Sequence, residues 1–356
     1  MQREKHTNGE NFESKSRLAY IDVMRGIGIL LVCLGHSIGA LDNPINRAIL
    51  SFHMPLFFFI SGILFFGRTF EREKISEYGK KKFRVLLVPQ FLQGTLSVIW
   101  RIGFYSLLFV LKGEKIILKN IINLDFLGWF LIVLFLMDII MFLELKYFNK
   151  DKTKYIILIC TLVLFFVIRV LKEKIIGERT VEIELFLWKT LEQLFCALFF
   201  GHLGMLCKMM IDKYLQCEKI HGICLLVFCV VAILSYFNQP IGMYVNDYGN
   251  KVMFLLTAMI GIFATLDLSC CLRNSKKLAW IGRNSIIIFV THFQILDTMK
   301  LGMKALTSLP YDTYPIYIFN FLVLMLVEIP LIIIVNKYVP FLFGKSKVSK
   351  KEEIKS

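Results

Sequence analysis

Charged residues are scarce in this sequence. They make up 19% of the 356 residues, whereas 56% of the residues are hydrophobic and the mean hydropathy is +0.64. A soluble domain of this size has a far more polar composition. The sequence also lacks a CxxC pair of the kind that binds metals, although it contains nine cysteines. It therefore supports neither a zinc site nor a disulfide framework, and we interpret the cysteines as small apolar residues.

The positive charges are unevenly distributed. The formal net charge is +15, and the Lys and Arg residues cluster in short loops and in the C-terminal tail. A basic balance can indicate binding of nucleic acid. A positive-inside bias around membrane spans explains this pattern better. We therefore expect a lipid bilayer, and no nucleic acid, as a partner of the chain.

Long apolar runs recur along the whole chain. Several approach or exceed the roughly 20 residues that a helix needs to cross a bilayer, and they are too evenly apolar for barrel strands. Only helices and closed barrels satisfy their backbone hydrogen bonds in lipid. The predicted fold class is therefore all-α, a polytopic integral membrane helical bundle of about ten transmembrane helices. The predicted spans are 19–40, 46–67, 85–111, 126–145, 155–171, 185–207, 220–237, 251–268, 280–298 and 315–336.

The loops between these spans predict the orientation. The loops at 68–84 and 146–154 are rich in Lys and Arg, whereas the loop 238–250 has one charged residue, Asp247. The positive-inside rule then places both termini in the cytoplasm and the loop 238–250 outside.

Composition divides the chain into three parts. We expect a polar, disordered cytoplasmic segment over 1–18, because it lacks the apolar residues that would anchor it. A transmembrane domain follows over 19–338, and a basic cytoplasmic tail ends the chain over 339–356. The sequence shows no obvious internal repeat.

Two ionisable residues lie on the first predicted span. Arg25 and His36 are eleven residues apart, so they differ by only about 20° around an α-helix and are separated by about 16 Å along it. Ionisable groups at membrane depth are costly and mark functional sites by default. A snorkelling arginine combined with an interfacial histidine is the alternative, and spacing alone leaves both interpretations open.

Further candidate residues lie near the first two spans. His53 is close to the predicted outer end of the second span and can face His36 across a hairpin. A pair of histidines without nearby carboxylates or thiols is weak support for a metal site. The basic stretch with Lys81 and Arg84 precedes the third span. It serves either as a topology signal or as a cytoplasmic clamp for phosphate groups.

The second half of the chain adds three candidates within or beside apolar runs. Trp129 alone would be an interfacial anchor. His292 lies in the outer half of its predicted span, and Glu328 is an acid within the last span. A membrane-embedded acid is a candidate functional residue by default.

Together these stretches resemble the membrane acyltransferase-3 family. The matching motifs are YIDVMRGIGILLVCLGHS, FHMPLFFFISGILF, KKKFRVLLVP, LGWFLIVLF, IGRNSIIIFVTH and a closing Glu-x-Pro. The hallmark of the family is an Arg, ten residues, and then a His, which Arg25 and His36 match. The resemblance runs in order over about residues 18 to 340. The family often has Arg-x-x-Arg where this chain has Lys81 and Arg84, so Lys81 departs from the family's pattern.

The resemblance implies a function. Members typically move an acetyl or other acyl group from cytoplasmic acyl-CoA to an extracytoplasmic or membrane-bound acceptor, often a sugar. It implies an O-acetyltransferase of the bacterial cytoplasmic membrane that uses acetyl-CoA as co-substrate and no metal, with a carbohydrate or glycolipid acceptor. The implied residues are His36 and Arg25 for catalysis, His53, Trp129, His292 and Glu328 for orienting the substrate, and Lys81 and Arg84 for the CoA phosphates.

A membrane transporter is the main alternative. About ten spans with buried ionisable residues also fit a secondary transporter or flippase for a glycan precursor. Such transporters often have repeated halves and matched broken helices. The sequence shows neither feature, which favours the enzyme.

Overall fold

The structure is a computed structural model of the chain. It describes residues 2–39, 42–112, 128–175, 177, 182–216, 222–306 and 313–345. Parts of several predicted segments lie outside these residues. They are the tail beyond residue 345, the beginnings of the spans predicted at 126 and 220, residue 40 of the first span, and parts of the loops 172–184 and 208–219.

The described part of the chain is helical and has no β-strand. Its twelve α-helices are α1 (Gln2–Ile38), α2 (Pro44–Ile63), α3 (Ile75–Lys82), α4 (Val88–Lys112), α5 (Phe130–Tyr147), α6 (Asp151–Ile175), α7 (Glu182–Gln216), α8 (Cys224–Tyr236), α9 (Lys251–Cys271), α10 (Lys276–Arg283), α11 (Ser285–Leu306) and α12 (Tyr314–Tyr338). A π-helical segment, Phe83–Leu87, joins α3 to α4. The predicted all-α class is thus confirmed.

Each of the ten predicted spans contains a helix, but the helices differ in how well they suit a bilayer. Within the described residues, six stretches are long and apolar enough to cross a membrane. They are Ala19–Ile38, Ile75–Phe104, Asp151–Ile175, Ile183–Tyr214, Lys251–Cys271 and Tyr314–Tyr338. The count of about ten spans and the cytoplasmic location of both termini stay predictions.

The boundaries of α1 and α10 differ from those of the predicted segments. Helix α1 begins at Gln2, so the segment 1–18, which the composition predicts to be disordered, is helical from its second residue. The span predicted at 280–298 is divided, because its first four residues belong to the separate short helix α10 and the rest to α11. Asn284 ends α10 by leaving helical geometry before α11 begins.

Capping residues explain where several helices begin. The side chain of Asn43 accepts a hydrogen bond from the amide of Ile45, and Pro44 occupies the first helical position of α2. Asn250 caps α9 and Ser275 caps α10 in the same manner. Each cap satisfies an amide that would otherwise have no partner in the helix.

Large apolar side chains cover the outer surfaces of α6, α8 and α12. Examples are Ile159, Leu226 and Leu322, each more than half exposed. A soluble protein rarely presents such continuous apolar helix faces to water. These faces suit the hydrocarbon core of a lipid bilayer, so the protein is a multi-pass membrane protein.

The contacts group the chain into two compact units. The range 19–338, which the sequence predicts as one domain, is shared between them. The first unit comprises Met1–Thr69 and Phe148–Ser285, and the second comprises Phe70–Tyr147 and Ile286–Ser356. In the first unit, α2 and α7 cross with backbone in contact, because an added Cβ at Gly62 would lie 1.8 Å from the carbonyl oxygen of Gly201. Small residues at such crossings let membrane helices approach closely.

The second unit is organised around the junction of α3, α4 and α5. Lys82 donates to a carboxylate oxygen of Asp138 at 2.5 Å, and Asp138 is buried. The ring of Tyr78 stacks on that of Phe142 with 4.3 Å between centroids. Pro89 lacks an amide hydrogen and its ring crowds the carbonyl four residues earlier, which explains why the turn before it is π-helical.

Candidate active site

A cluster of three charged residues lies on α1 and α10 of the first unit. Nη1 of Arg25 is 3.9 Å from a carboxylate oxygen of Asp22, and Arg283 donates to the other oxygen at 3.3 Å. All three side chains are partly exposed. Two guanidinium groups share one carboxylate, so this group of residues carries a net positive charge and suits an anion.

Two glycines bring this cluster together. An added Cβ at Gly26 would lie 2.3 Å from the carbonyl oxygen of Leu278, and one at Gly282 would lie 1.8 Å from the carbonyl oxygen of Asp22. The backbones of α1 and α10 therefore touch at both positions. The crossing explains why Arg283, which follows Gly282, reaches a residue 261 positions earlier in the chain.

His36 lies near the C-terminal end of α1, eleven residues after Arg25, and is half-buried. Helix α1 is unbroken between Arg25 and His36, so the predicted shared face of the two residues holds. Beside His36, an added Cβ at Gly35 would lie 3.0 Å from Oδ1 of Asn46. This end of α1 thus packs on the beginning of α2.

His53 is buried on α2, seven residues after Asn46. Its Nδ1 is 2.9 Å from the carbonyl oxygen of Ile49, and Ile49 itself packs beside Gly35. A carbonyl can only accept, so Nδ1 carries the proton in the neutral ring and Nε2 keeps a lone pair. His36 and His53 therefore lie on two packed helices, and their facing each other across the hairpin stays a prediction.

In the second unit, a chain of ring contacts connects Trp129 with His292. The ring centroids of Trp129 and Phe130 are 5.9 Å apart, those of Phe130 and Phe289 are 5.2 Å apart, and those of Phe289 and His292 are 5.9 Å apart. Nδ1 of His292 lies 2.9 Å from the Ile288 carbonyl oxygen. Nδ1 therefore carries the proton here too.

Glu328 joins this group through a threonine. Oε1 of Glu328 accepts a 2.8 Å hydrogen bond from the hydroxyl of Thr291, the residue before His292. Oε2 is buried and has no hydrogen-bond partner within the described part of the chain, and Oδ1 of Asn320, two turns earlier on α12, is in the same situation. Buried polar atoms without partners are uncommon and mark a place where another polar group can bind.

Trp129 follows a turn that fixes a glutamine of α4. Gly128 has φ +56°, in the left-handed region that favours glycine, and an added Cβ there would lie 2.5 Å from Nε2 of Gln90. Gln90 donates to Oε1 of Gln93 at 3.2 Å, and Gln93 donates to the carbonyl oxygen of Phe289. These amides connect α4 to the helix that carries His292.

Lys81 and Arg84 are exposed at the junction of α3 with the π-helical segment. Their neighbour Lys82 is instead paired with the buried Asp138. The basic stretch therefore divides into an accessible part and a part that holds α3 against α5. The accessible part is the pair that the sequence predicts to bind phosphates.

The predicted site residues thus form two groups. The first unit holds Arg25, His36 and His53, and the second holds Lys81, Arg84, Trp129, His292 and Glu328. Contacts of the second unit bring Trp129, His292 and Glu328 together. In the first unit, Arg25 and His36 share a helix face, and His36 and His53 lie on packed helices.

Comparison with known proteins assigns these residues to a family. A family model described as an acyltransferase domain matches residues 18–343. The chain belongs to the acyltransferase-3 family. No curated protein and no solved structure matches the chain. The protein is therefore a membrane acyltransferase, and every candidate residue named above falls within the matched range.

One buried histidine of this acyltransferase escaped the sequence analysis. His202 is buried on α7, and its Nδ1 is 2.7 Å from the carbonyl oxygen of Leu198. It lies beside the crossing of α7 with α2, where an added Cβ at Gly204 would be 2.1 Å from the Phe59 carbonyl oxygen. A histidine flanked by glycines within an apolar run, FFGHLGM, is the signal that could have found it.

Among the described residues, one group of three side chains in the acyltransferase has the proximity that a metal ion requires. Cys224, Asp267 and Cys271 have ligand atoms within 4.8 Å of one another. The carboxylate of Asp267, however, already accepts hydrogen bonds from the hydroxyl of Tyr214 and from the amides of Gly222 and Cys224. This pattern is that of a cap on the first turn of α8.

Proposed function

We propose that the protein is an O-acyltransferase of the cell membrane. It moves an acyl group, in the first instance acetyl, from cytoplasmic acyl-CoA to a hydroxyl of an extracytoplasmic or membrane-linked carbohydrate. Membership of the family supports acyl transfer. The observation that carries the rest is the apolar stretch Ala19–Ile38 of α1, which presents the Arg25 cluster near its beginning and the half-buried His36 near its end on one face.

The basic groups suit the donor. CoA is strongly anionic at its nucleotide end and cannot enter hydrocarbon, whereas its acyl-bearing arm is slender and carries no charge. Arg25 and Arg283 outnumber the carboxylate of Asp22 in the first unit. Lys81 and Arg84 are accessible in the second unit. Guanidinium groups bind phosphates by paired hydrogen bonds, so each of the two groups is by itself a candidate for holding the nucleotide.

His36 is the proposed general base. A neutral imidazole removes the proton of the acceptor hydroxyl while its oxygen attacks the thioester carbonyl carbon. The new C–O ester bond forms and the C–S bond breaks. CoA leaves as a thiolate and takes the proton from the imidazolium, which returns His36 to its neutral form.

The remaining predicted residues are proposed to orient the substrate. His53 has the tautomer that leaves Nε2 able to accept a hydroxyl proton. In the second unit, the aromatic ring of Trp129 and the unpartnered carboxyl oxygen of Glu328 offer an apolar face and a hydrogen-bonding group. Both are features of sites that bind sugars and acyl chains.

A transfer assay tests this proposal. Purified protein in proteoliposomes receives acetyl-CoA labelled in the acetyl group together with a membrane glycan extract, and the products are identified by mass spectrometry. The proposal requires labelled acetyl ester on a carbohydrate. Uptake of glycan precursor into vesicles without any ester formation would instead support the transporter that the sequence left as an alternative.

A further inference from the structure

Two adjoining surface cavities, the larger of them wide open, lie at one end of α6, α7 and α9 in the first unit, among residues that the proposed transfer chemistry does not use. Their volumes are about 450 Å³ and about 150 Å³, and both are lined by Arg169 and Glu173. We call them the Arg169 cavities. By the predicted topology, this end of the bundle faces the outside, because residues of the loop 238–250 line the cavities.

A buried ion pair borders the Arg169 cavities. Nζ of Lys251 is 2.6 Å from Oε1 of Glu192, and each side chain is only about a tenth exposed. Lys251 also donates to the carbonyl oxygen of Phe165 at 2.6 Å, and its ammonium group lies 4.4 Å from the centroid of the Phe165 ring. Contacts on several sides fix both charges, so this border of the cavities is rigid.

The loop between α8 and α9 closes another side. Asn246 has φ 60° and donates from Nδ2 to Oε2 of Glu192 at 2.9 Å and to the Lys189 carbonyl oxygen at 3.0 Å. Oδ1 of Asn246 has no hydrogen-bond partner among the described residues. The side chain of Asn238 holds the loop through the Tyr248 carbonyl and the Asn250 amide. The loop is thus pre-organised, which lowers the cost of binding a ligand.

The chemistry of the lining identifies a class of ligand. Four basic and two acidic side chains line the cavities, and Trp188 adds a half-buried indole. Nε of Arg169 lies 3.8 Å from Oε1 of Glu173 in an exposed pair, and Lys251 pairs with Glu192, so the lining as a whole carries a net positive charge. The basic residues are Arg169, Lys172, Lys189 and Lys251. We propose that the Arg169 cavities bind an acidic saccharide, with its anionic group on Arg169 and Lys189, its hydroxyls on Asn246 and the carboxylates, and a sugar face on Trp188.

An anionic lipid headgroup is the competing ligand, because basic residues near a membrane surface attract such lipids. Two observations favour the saccharide. The carboxylates of Glu173 and Glu192 can accept hydrogen bonds from hydroxyls, and every ring of a saccharide carries several of these. The indole of Trp188 offers a flat apolar face, which a sugar ring matches and a headgroup does not. If the proposed function holds, this saccharide is the acceptor.

Binding measurements on the purified full-length protein in detergent test the inference. The probes are a hexamer of galacturonic acid, a glucose hexamer of equal length, inorganic phosphate, and vesicles of phosphatidylglycerol. We expect the acidic hexamer to bind at least tenfold more tightly than the neutral one. Arg169→Gln and Lys189→Gln should each weaken its binding about tenfold. Trp188→Ala should weaken the binding of both hexamers.

Lys174→Gln is the matched control. It removes the same charge from an exposed position of α6 that does not line the cavities, and it should leave binding unchanged. Melting temperatures identify any variant that fails to fold. Equal effects of Lys174→Gln and Arg169→Gln, no saccharide binding by wild-type protein, or binding of only phosphate or phosphatidylglycerol would each overturn the inference.

The same preparations separate this inference from the proposed function. If wild-type protein binds the acidic hexamer through Arg169 and Lys189 but transfers no acyl group, the saccharide site stands and the proposed function fails. If the protein transfers acetyl groups while both substitutions leave saccharide affinity and transfer rate unchanged, the function stands and the saccharide site fails.

Discussion

The carbonyl oxygen of Asp22 occupies the space where a side chain at position 282 would begin. A Cβ on Gly282 would lie 1.8 Å from that oxygen, which is far inside van der Waals contact. The next residue, Arg283, donates to the carboxylate of the same Asp22. The charged cluster around Arg25 therefore depends on the absence of a side chain at position 282.

The first prediction concerns this crossing. Gly282→Ala should separate α1 from α10, because backbone atoms cannot yield as a flexible side chain can. We expect a loss of about 1–3 kcal/mol in stability, the usual cost of overpacking, and a fall of several degrees in the melting temperature in detergent. The matched control is Gly302→Ala on α11, where an added Cβ meets nothing within 4 Å. Equal melting temperatures for the two variants would contradict the crossing.

The second prediction compares two adjacent lysines. Lys82→Gln removes the ammonium group that pairs with the buried carboxylate of Asp138, so it should cost about 2–3 kcal/mol, less than for a fully buried pair because Lys82 is partly exposed. Lys81→Gln should leave the melting temperature unchanged and raise the KM for acetyl-CoA. The structural role of Lys82 would be wrong if Lys82→Gln were as stable as wild type. The donor-binding role of Lys81 would be wrong if Lys81→Gln left this KM unaltered.

The third prediction concerns Arg25 as a phosphate ligand. Arg25→Gln should raise the KM for acetyl-CoA about tenfold, the effect of one charge-assisted hydrogen bond. Arg25→Lys keeps the charge and should recover part of this loss, since lysine lacks the bidentate geometry. Steady-state kinetics over a range of acetyl-CoA concentrations measure both effects. A fall in kcat alone, with the same KM in both variants, would place Arg25 elsewhere in the mechanism.

The fourth prediction separates backbone strain from contact at Gly128. Gly128→Ala places a Cβ in the left-handed region and 2.5 Å from the amide nitrogen of Gln90, so it should displace Gln90 and lower transfer activity at least tenfold. Gly67→Ala has the same strain, with φ +71°, but its Cβ meets nothing within 4 Å. It should lose stability similar to that of Gly128→Ala while it keeps its activity. Equal activities would show that the contact with Gln90 is irrelevant to transfer.

The helices of this protein were largely predictable from local sequence. Each apolar run contains a helix, and residues such as Asn43 with Pro44, or Asn250, signal where helices begin. The shared face of Arg25 and His36 also follows from spacing alone, because α1 is unbroken between them. Periodicity and caps are properties of neighbouring residues, which explains this success.

The features that the sequence did not reveal depend on distant parts of the chain. Arg283 meets Asp22 across 261 positions, and His202 lies beside a crossing made by glycines on two helices. Glu328 could be suspected from its apolar surroundings, but its partner Thr291 could not.

We propose that His36 removes the proton of the acceptor hydroxyl. If it does, the rate of ester formation depends on its imidazole. His36→Ala protein, purified and matched to wild type in melting temperature, is assayed with labelled acetyl-CoA and a membrane glycan extract, with Leu34→Ala as a neighbouring control on α1. We predict that His36→Ala loses transfer by at least a hundredfold while Leu34→Ala stays near wild type. Transfer by His36→Ala at the wild-type rate would show that His36 is not the general base.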